Sequence, residues 1–271
     1  MSRIAAKFAE LKKANRAAFV PFVTAGDPDA ETSFAILETL PGAGADLIEI
    51  GVPFSDPMAD GPAIQASSQR ALKAGMTVPK VFDLVRRFRK KDAKTPIILM
   101  GYYNPIHAYG TARFAKDAAA AGVDGLITVD LPPEEDEVLR APASAHGIDV
   151  VRLATPTTDE ARLATILNGA SGFLYYVSIA GVTGTKSYAQ DDVRQAVERL
   201  KAQAQIPCCV GFGIKTPEQA GEIARFADGA VVGSAIVARI AEGGEKVALV
   251  NGIAAFCAAL AASVHRSRLD S

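Results

Sequence analysis

The chain is sparing with the residue types that build metal centres and disulfide frameworks: its 271 residues hold three cysteines and three histidines. Cys208 and Cys209 are adjacent in an apolar run, and Cys257 stands alone. An odd set spaced this way makes no disulfide framework and reads as reduced core thiols of a cytosolic protein. His107, His146 and His265 are scattered, so no histidine metal site is expected. Charge of one sign is not in excess either. Twenty-nine basic residues against 30 acidic ones give a net charge of −1, which leaves no basic footprint for nucleic acid. Apolar stretches such as Gly252–Val264 are too short to span a bilayer and read as buried helix. The opening MSRIAAKFAELKKANR is an amphipathic helix of mixed charge, without the layout of a signal peptide. Neither GxGxxG after the first strand nor a Walker motif is present.

What is present is a repeat of short apolar runs, each followed by a helical pattern. The runs FVPFVT (19–24), DLIEIG (46–51), PIILMG (96–101), DGLITVD (124–130), DVVRLA (149–154), FLYYVS (173–178), CCVGFG (208–213) and GAVVGS (229–234) read as eight strands. They mostly lack alternation, as strands covered on both faces do. Helical spacing follows over Thr32–Leu40, Val81–Lys90, Thr111–Ala120, Pro133–Ala145, Asp159–Leu167, Gln190–Ala202, Pro217–Arg225 and Glu245–Val264. Eight strand–helix units in a chain of this length predict one domain over 1–271, a (β/α)8 TIM barrel, rather than an open doubly wound sheet. It carries an extra N-terminal helix and extra segments after strand 2 (Ala59–Ala74) and strand 8. The connection after strand 6 (Ile179–Ala189) is long and rich in small residues. Long loops at the carboxyl ends of barrel strands are where function is expected.

Two glycine-bearing turns follow strands 7 and 8: Gly211-Phe212-Gly213 before Thr216-Pro217, and Gly233-Ser234 before a short helix. Glycine lets backbone N–H groups approach an anion, and a helix N-terminus adds partial positive charge. Together, at these two strands, they predict a phosphate site, with Gly181-Val182-Thr183-Gly184 closing over it. Either motif alone reads equally well as a tight turn. Acids supply the chemistry. Glu49 lies within an apolar strand, where a carboxylate has a raised pKa unless paired. Its bland alternative is an ion pair, and Arg152 is the only basic residue in the eight runs. Asp56 and Asp60 lie in the proline-stiffened loop VPFSDPMADGP, where Asp60 is also a natural turn former before Gly61. No strand carries lysine, which argues against a Schiff-base aldolase. Phenols stand at strand ends 3 and 6: Tyr102, Tyr103, Tyr175 and Tyr176. Phe22, Met100, Ile127, Val129 and Phe212 make the inner rim apolar, which together with an anion site suggests a substrate with a flat apolar head and a phosphate tail.

At this point the sequence resembles a known family. DLIEIGVPFSDPMADGPAIQASSQRAL (46–72), PFVTAGDPD (21–29), MGYYNPI (100–106), DGLITVDLPPEE (124–135), YYVSIAGVTG (175–184), GFGIKTPEQA (211–220) and DGAVVGSAIV (228–237) resemble tryptophan synthase alpha subunits, over about residues 4–263. The resemblance implies a lyase splitting indole-3-glycerol phosphate into indole and glyceraldehyde 3-phosphate. It implies Glu49 and Asp60 as the catalytic pair, with Tyr175 lining the site. It implies phosphate binding by Gly184 (with Thr183 in the same loop), Gly213, Gly233 and Ser234, and an indole pocket of Phe22, Met100, Ile127, Val129 and Phe212. It further implies no cofactor in this chain and a pyridoxal-phosphate beta subunit as partner in an alpha-beta-beta-alpha heterotetramer. The rim residues Pro57, Asn104 and Pro132 would then meet that partner; without the resemblance they read as a stiff rim. Met100 stands where Leu is common and Ile179 where many members carry Arg, which bears on the strand-6 loop. The alternatives are a phosphosugar isomerase of the same barrel class and a catalytically silent barrel that only binds a partner.

Overall fold

A computed structural model describes residues 2–177, 186–211 and 213–268. Eight parallel strands close on themselves in sequence order: β1 Ala18–Thr24, β2 Ile48–Gly51, β3 Ile97–Gly101, β4 Gly125–Thr128, β5 Asp149–Ala154, β6 Leu174–Val177, β7 Cys208–Gly211 and β8 Gly229–Val232. β8 returns to β1 through the register Ala18↔Gly229 to Pro21↔Val232. The (β/α)8 expectation therefore holds. Each predicted apolar run contains a strand, and β1, β2 and β8 are buried along their whole length, because helices cover the outside while side chains fill the inside.

The helices follow their strands: α1 Arg3–Lys13, α2 Ala30–Thr39, α3 Pro62–Lys73, α4 Val78–Arg89, α5 Tyr103–Tyr109, α6 Thr111–Ala121, α7 Glu137–Ala145, α8 Glu160–Leu167, α9 Lys186–Gln203, α10 Pro217–Ala224, α11 Ser234–Ala241 and α12 Lys246–Arg266. The extra segments after strands 2 and 8 are α3 and α11. The N-terminal helix α1 sends Ile4, Phe8 and Leu11 into the cluster that fills the barrel with Leu47, Ile98, Phe173 and Cys209.

Three details differ from the sequence reading. Tyr103-Asn104-Pro105, expected as loop, opens α5. Pro105 falls in its first turn, where the missing N–H is one of the unpaired ones anyway. The cap comes from another strand's end, because Asp130 Oδ1 accepts from Tyr103 N at 2.7 Å. α7 starts at Glu137 rather than Pro133. α12 is longer than the apolar stretch read in it, and by length and composition it could cross a membrane. In the fold it instead buries Val250, Ile253, Cys257, Leu260, Ala261 and Val264.

Candidate active site

Register places Glu49. It pairs with Phe22 on one side and Ile98 on the other, and Ile98 belongs to the barrel interior. Parallel partners in register face the same way, so Glu49 points inward. It is 1% exposed, and among the described residues neither carboxyl oxygen has a hydrogen-bond partner. The ion-pair alternative fails: Arg152 faces outward, bonds Asp136, and caps the end of α8 by donating to the carbonyls of Thr165, Ile166 and Asn168. Burial, with the negative charge of Asp60 added, pushes the Glu49 carboxyl up to about 8.

Asp60 sits two residues ahead of α3, in a turn closed by its own N–H to Pro57 O. Gln65 donates to its carbonyl, and Gln69 donates to the Ser55 carbonyl. α3 itself is tied to the end of β1. Thr24 Oγ1 lies 2.6 Å from Ser67 Oγ, and Arg70 forks onto buried Asp27 at 2.7 and 2.8 Å. Burial raises the Asp60 carboxyl, and a hydrogen bond from Tyr102 opposes that rise. The Asp56 carboxylate accepts from its neighbour Ser55 and stays exposed.

A pocket at the barrel mouth brings together Phe22, Asp60, Met100 and Val129. Sequence reasoning did not name Thr24, Val52, Ile64 and Ser68, which also line it. Ile64 had a discernible mark, an apolar residue in the first turn of a helix that follows an acid. Ile127 is buried beside Met100 in register. Phe22 is fixed by close approach: a methyl on Gly51 would lie 2.6 Å from its ring, and one on Gly233 3.3 Å from its Cβ. Tyr175 is buried below, with its hydroxyl 2.5 Å from where a Gly211 Cβ would be. Burial, then the charge of Glu49, raises its phenol.

Gly213 is exposed with φ +60°, a backbone state that glycine holds without strain. Gly233 and Ser234 open α11, which has no side-chain cap. Thr183, Gly184, Ile179 and Phe212 lie outside the described residues. Pro57 is buried, whereas Asn104 and Pro132 are exposed on the same rim. A larger cleft, ≈ 390 Å³, opens between the ends of β4 and β5 beside Asp136, Arg140, Arg152 and Arg162. Asp136 there pairs with Arg140 and Arg152, and Arg162 with Glu134, while Asp130 accepts from the Tyr103 N–H. Among the described residues, Glu49 is the buried carboxyl whose two oxygens lack a hydrogen-bond partner.

A closed eight-stranded parallel barrel with a buried inward acid and a second acid at its mouth is the frame of a TIM-barrel enzyme. The particular family follows from comparison. A family model described as tryptophan synthase alpha chain matches residues 8–265. A curated tryptophan synthase alpha chain from Gluconacetobacter diazotrophicus is 60% identical over 240 residues, 89% of this chain and 88% of that one. The crystal structure of the alpha chain from Legionella pneumophila subsp. pneumophila superimposes with a TM-score of 0.89 at 40% identity, covering 97% of both chains. Tryptophan synthase from M. tuberculosis, in an aminoacrylate-bound form, gives 0.87 at 35% identity over 98% of this chain and 100% of that one. The chain belongs to the tryptophan synthase alpha chain family. It is a lyase of tryptophan biosynthesis that cleaves indole-3-glycerol phosphate and works with a beta subunit. Alpha chains bring no cofactor of their own. The phosphosugar isomerase alternative is set aside.

Proposed function

We propose that Glu49 and Asp60 carry the retro-aldol cleavage of indole-3-glycerol phosphate within a single cytoplasmic barrel domain spanning 1–271. The observation that carries this reading is the buried Glu49 carboxyl, without a partner on either oxygen and raised to about 8. At neutral pH it holds a proton to give. Delivered to indole C3, that proton makes an indolenine with positive charge at nitrogen, and Asp60 as carboxylate stabilises the charge through the ring N–H. The Glu49 carboxylate left behind takes the proton of the adjacent glycerol hydroxyl. The C–C bond breaks, its electron pair returns to the ring, and indole and glyceraldehyde 3-phosphate result. The raised carboxyl suits Glu49 to both transfers, since a catalytic pKa works best near the operating pH.

Indole lies against Phe22, Met100, Ile127, Val129 and Phe212, with Tyr175 below. The phosphate is held by Thr183, Gly184, Gly213, Gly233 and Ser234. Pro57, Asn104 and Pro132 meet the beta subunit, which holds pyridoxal phosphate and pairs with this chain as an alpha-beta-beta-alpha heterotetramer. The shared rim of the two exposed residues supports that surface. The decisive test is indole release from indole-3-glycerol phosphate by Glu49→Gln and Asp60→Asn. Both are expected to lose about 10²-fold or more. Activity of either within tenfold of the parent removes that residue from the mechanism.

A further inference from the structure

Asp60 is held from two sides, and only one of them is its own helix. Gln65 and Gln69 of α3 hold the carbonyls of the loop. The other hold comes from the end of β3, 42 residues away in sequence, where the Tyr102 hydroxyl donates to Asp60 Oδ2 at 3.1 Å and accepts from Ala59 N at 3.0 Å. One oxygen thus grips both the backbone before Asp60 and its carboxylate. Tyr102 is itself immobilised: 3% exposed, with its ring 5.3 Å from that of Phe54. The next residue, Tyr103, has its N–H capped by Asp130 from the end of β4.

We infer that Tyr102 is a positioning residue for Asp60, aiming its carboxylate at the indole N–H and keeping it ionised, and that Asp130 sets Tyr102 in turn. The inference rests on the proposed role of Asp60. Among the described residues, the charge of Asp60 reaches Glu49 on β2 and Tyr175 on β6, Gln65 bonds its backbone carbonyl, and Tyr102 bonds its carboxylate. Arg70, the nearest cation on α3, is spent on Asp27. No cation among these groups favours the ionised form, so the phenol donor carries that task. Burial, then the charge of Asp60, pushes the phenol up to about 12, so Tyr102 keeps the proton it donates near neutral pH.

The test is Tyr102→Phe, which keeps the ring on Phe54 and removes only the hydroxyl, assayed with the beta subunit present. Loss of a hydrogen bond to a charged group predicts a fall in kcat/KM of about 10- to 100-fold. The acid limb of the pH profile is expected to move to higher pH, because Asp60 loses the donor that opposes its protonation. Asp130→Ala should move the limb the same way with a smaller loss, and it decides the matter if Tyr102→Phe does not fold. A loss of rate with an unmoved acid limb means that Tyr102 only packs, and overturns the inference. So does activity within threefold of the parent. Asp60→Asn run alongside separates the two levels: if it stays active, the role of Asp60 itself has failed.

Discussion

The two ends of the barrel treat the same functional group in opposite ways. At the amino end, aspartates standing just ahead of strands are saturated with donors. Asp124 accepts from Arg3 at 2.7 Å, Arg89 at 2.6 Å and the backbone of Ile97 at 2.8 Å. Asp46 takes Arg16, His265 and the N–H of Phe19, and Asp228 takes Lys201 and the N–H of Cys208. In each case the backbone donor opens or lies within the preceding or neighbouring strand, so the acid stitches adjacent strands together. Further along β2 towards the mouth, Glu49 has no donor among the described residues, and burial raises its carboxyl. A carboxylate whose lone pairs are filled stabilises the fold, and one left empty in an apolar wall is available to move a proton. Position along the strand decides which.

Four substitutions test that division. Glu49→Gln should abolish activity, as above, while making the fold more stable. The sign follows from the raised carboxyl. Below its ordinary value, near 4.5, Glu49 is protonated in both folded and unfolded chains and costs nothing. As pH rises towards 8 only the unfolded chain sheds the proton freely, so the parent loses stability that the glutamine variant keeps. The gain at pH 7 is on the order of 2–3 kcal/mol, and it should vanish at pH 4. Denaturant unfolding at both values checks it, and equal stability at pH 7 would show that Glu49 is solvated or paired. Asp124→Ala should do the reverse, lowering stability by about 2–4 kcal/mol through the buried Arg89 left uncompensated. Activity per folded molecule should be unchanged; a selective loss of kcat would break the separation of the two ends. The smallest effect belongs to the rim. Asn104→Ala and Pro132→Gly should each weaken activation by the beta subunit a few-fold within the usual 5- to 150-fold range of such coupling, leaving the isolated reaction alone. Titration of indole release with beta subunit measures it.

The barrel was legible in the sequence because its strands are largely covered on both faces and therefore show apolar runs with little alternation. Glu49 stood out for the same reason, as an acid where only apolar residues belong. What could not be read was anything closed by a distant partner. α5 was missed because its cap, Asp130, lies 27 residues beyond the N–H it accepts from. Glu49 stayed ambiguous with respect to Arg152 until β5 showed which face Arg152 takes. The Tyr102–Asp60 bond joins ends of neighbouring strands, which no local pattern reports. Pro133 looked like a helix start because proline suits that place, but the chain first turns through Pro132 and Glu135.

The α1 helix, with Ile4, Phe8 and Leu11 packed among the residues that fill the barrel, makes the interior a blind alley. Nothing can pass through. Whatever reaches Glu49 arrives by the mouth and departs by the mouth, so one doorway must serve the incoming ester and both fragments it becomes. The order of departure is then a matter of traffic. In the proposed site, the phosphate-bearing fragment would stand at the turns after β7 and β8, with the ring behind it against Met100 and Ile127. Whichever product clears the entrance first determines how long the other waits.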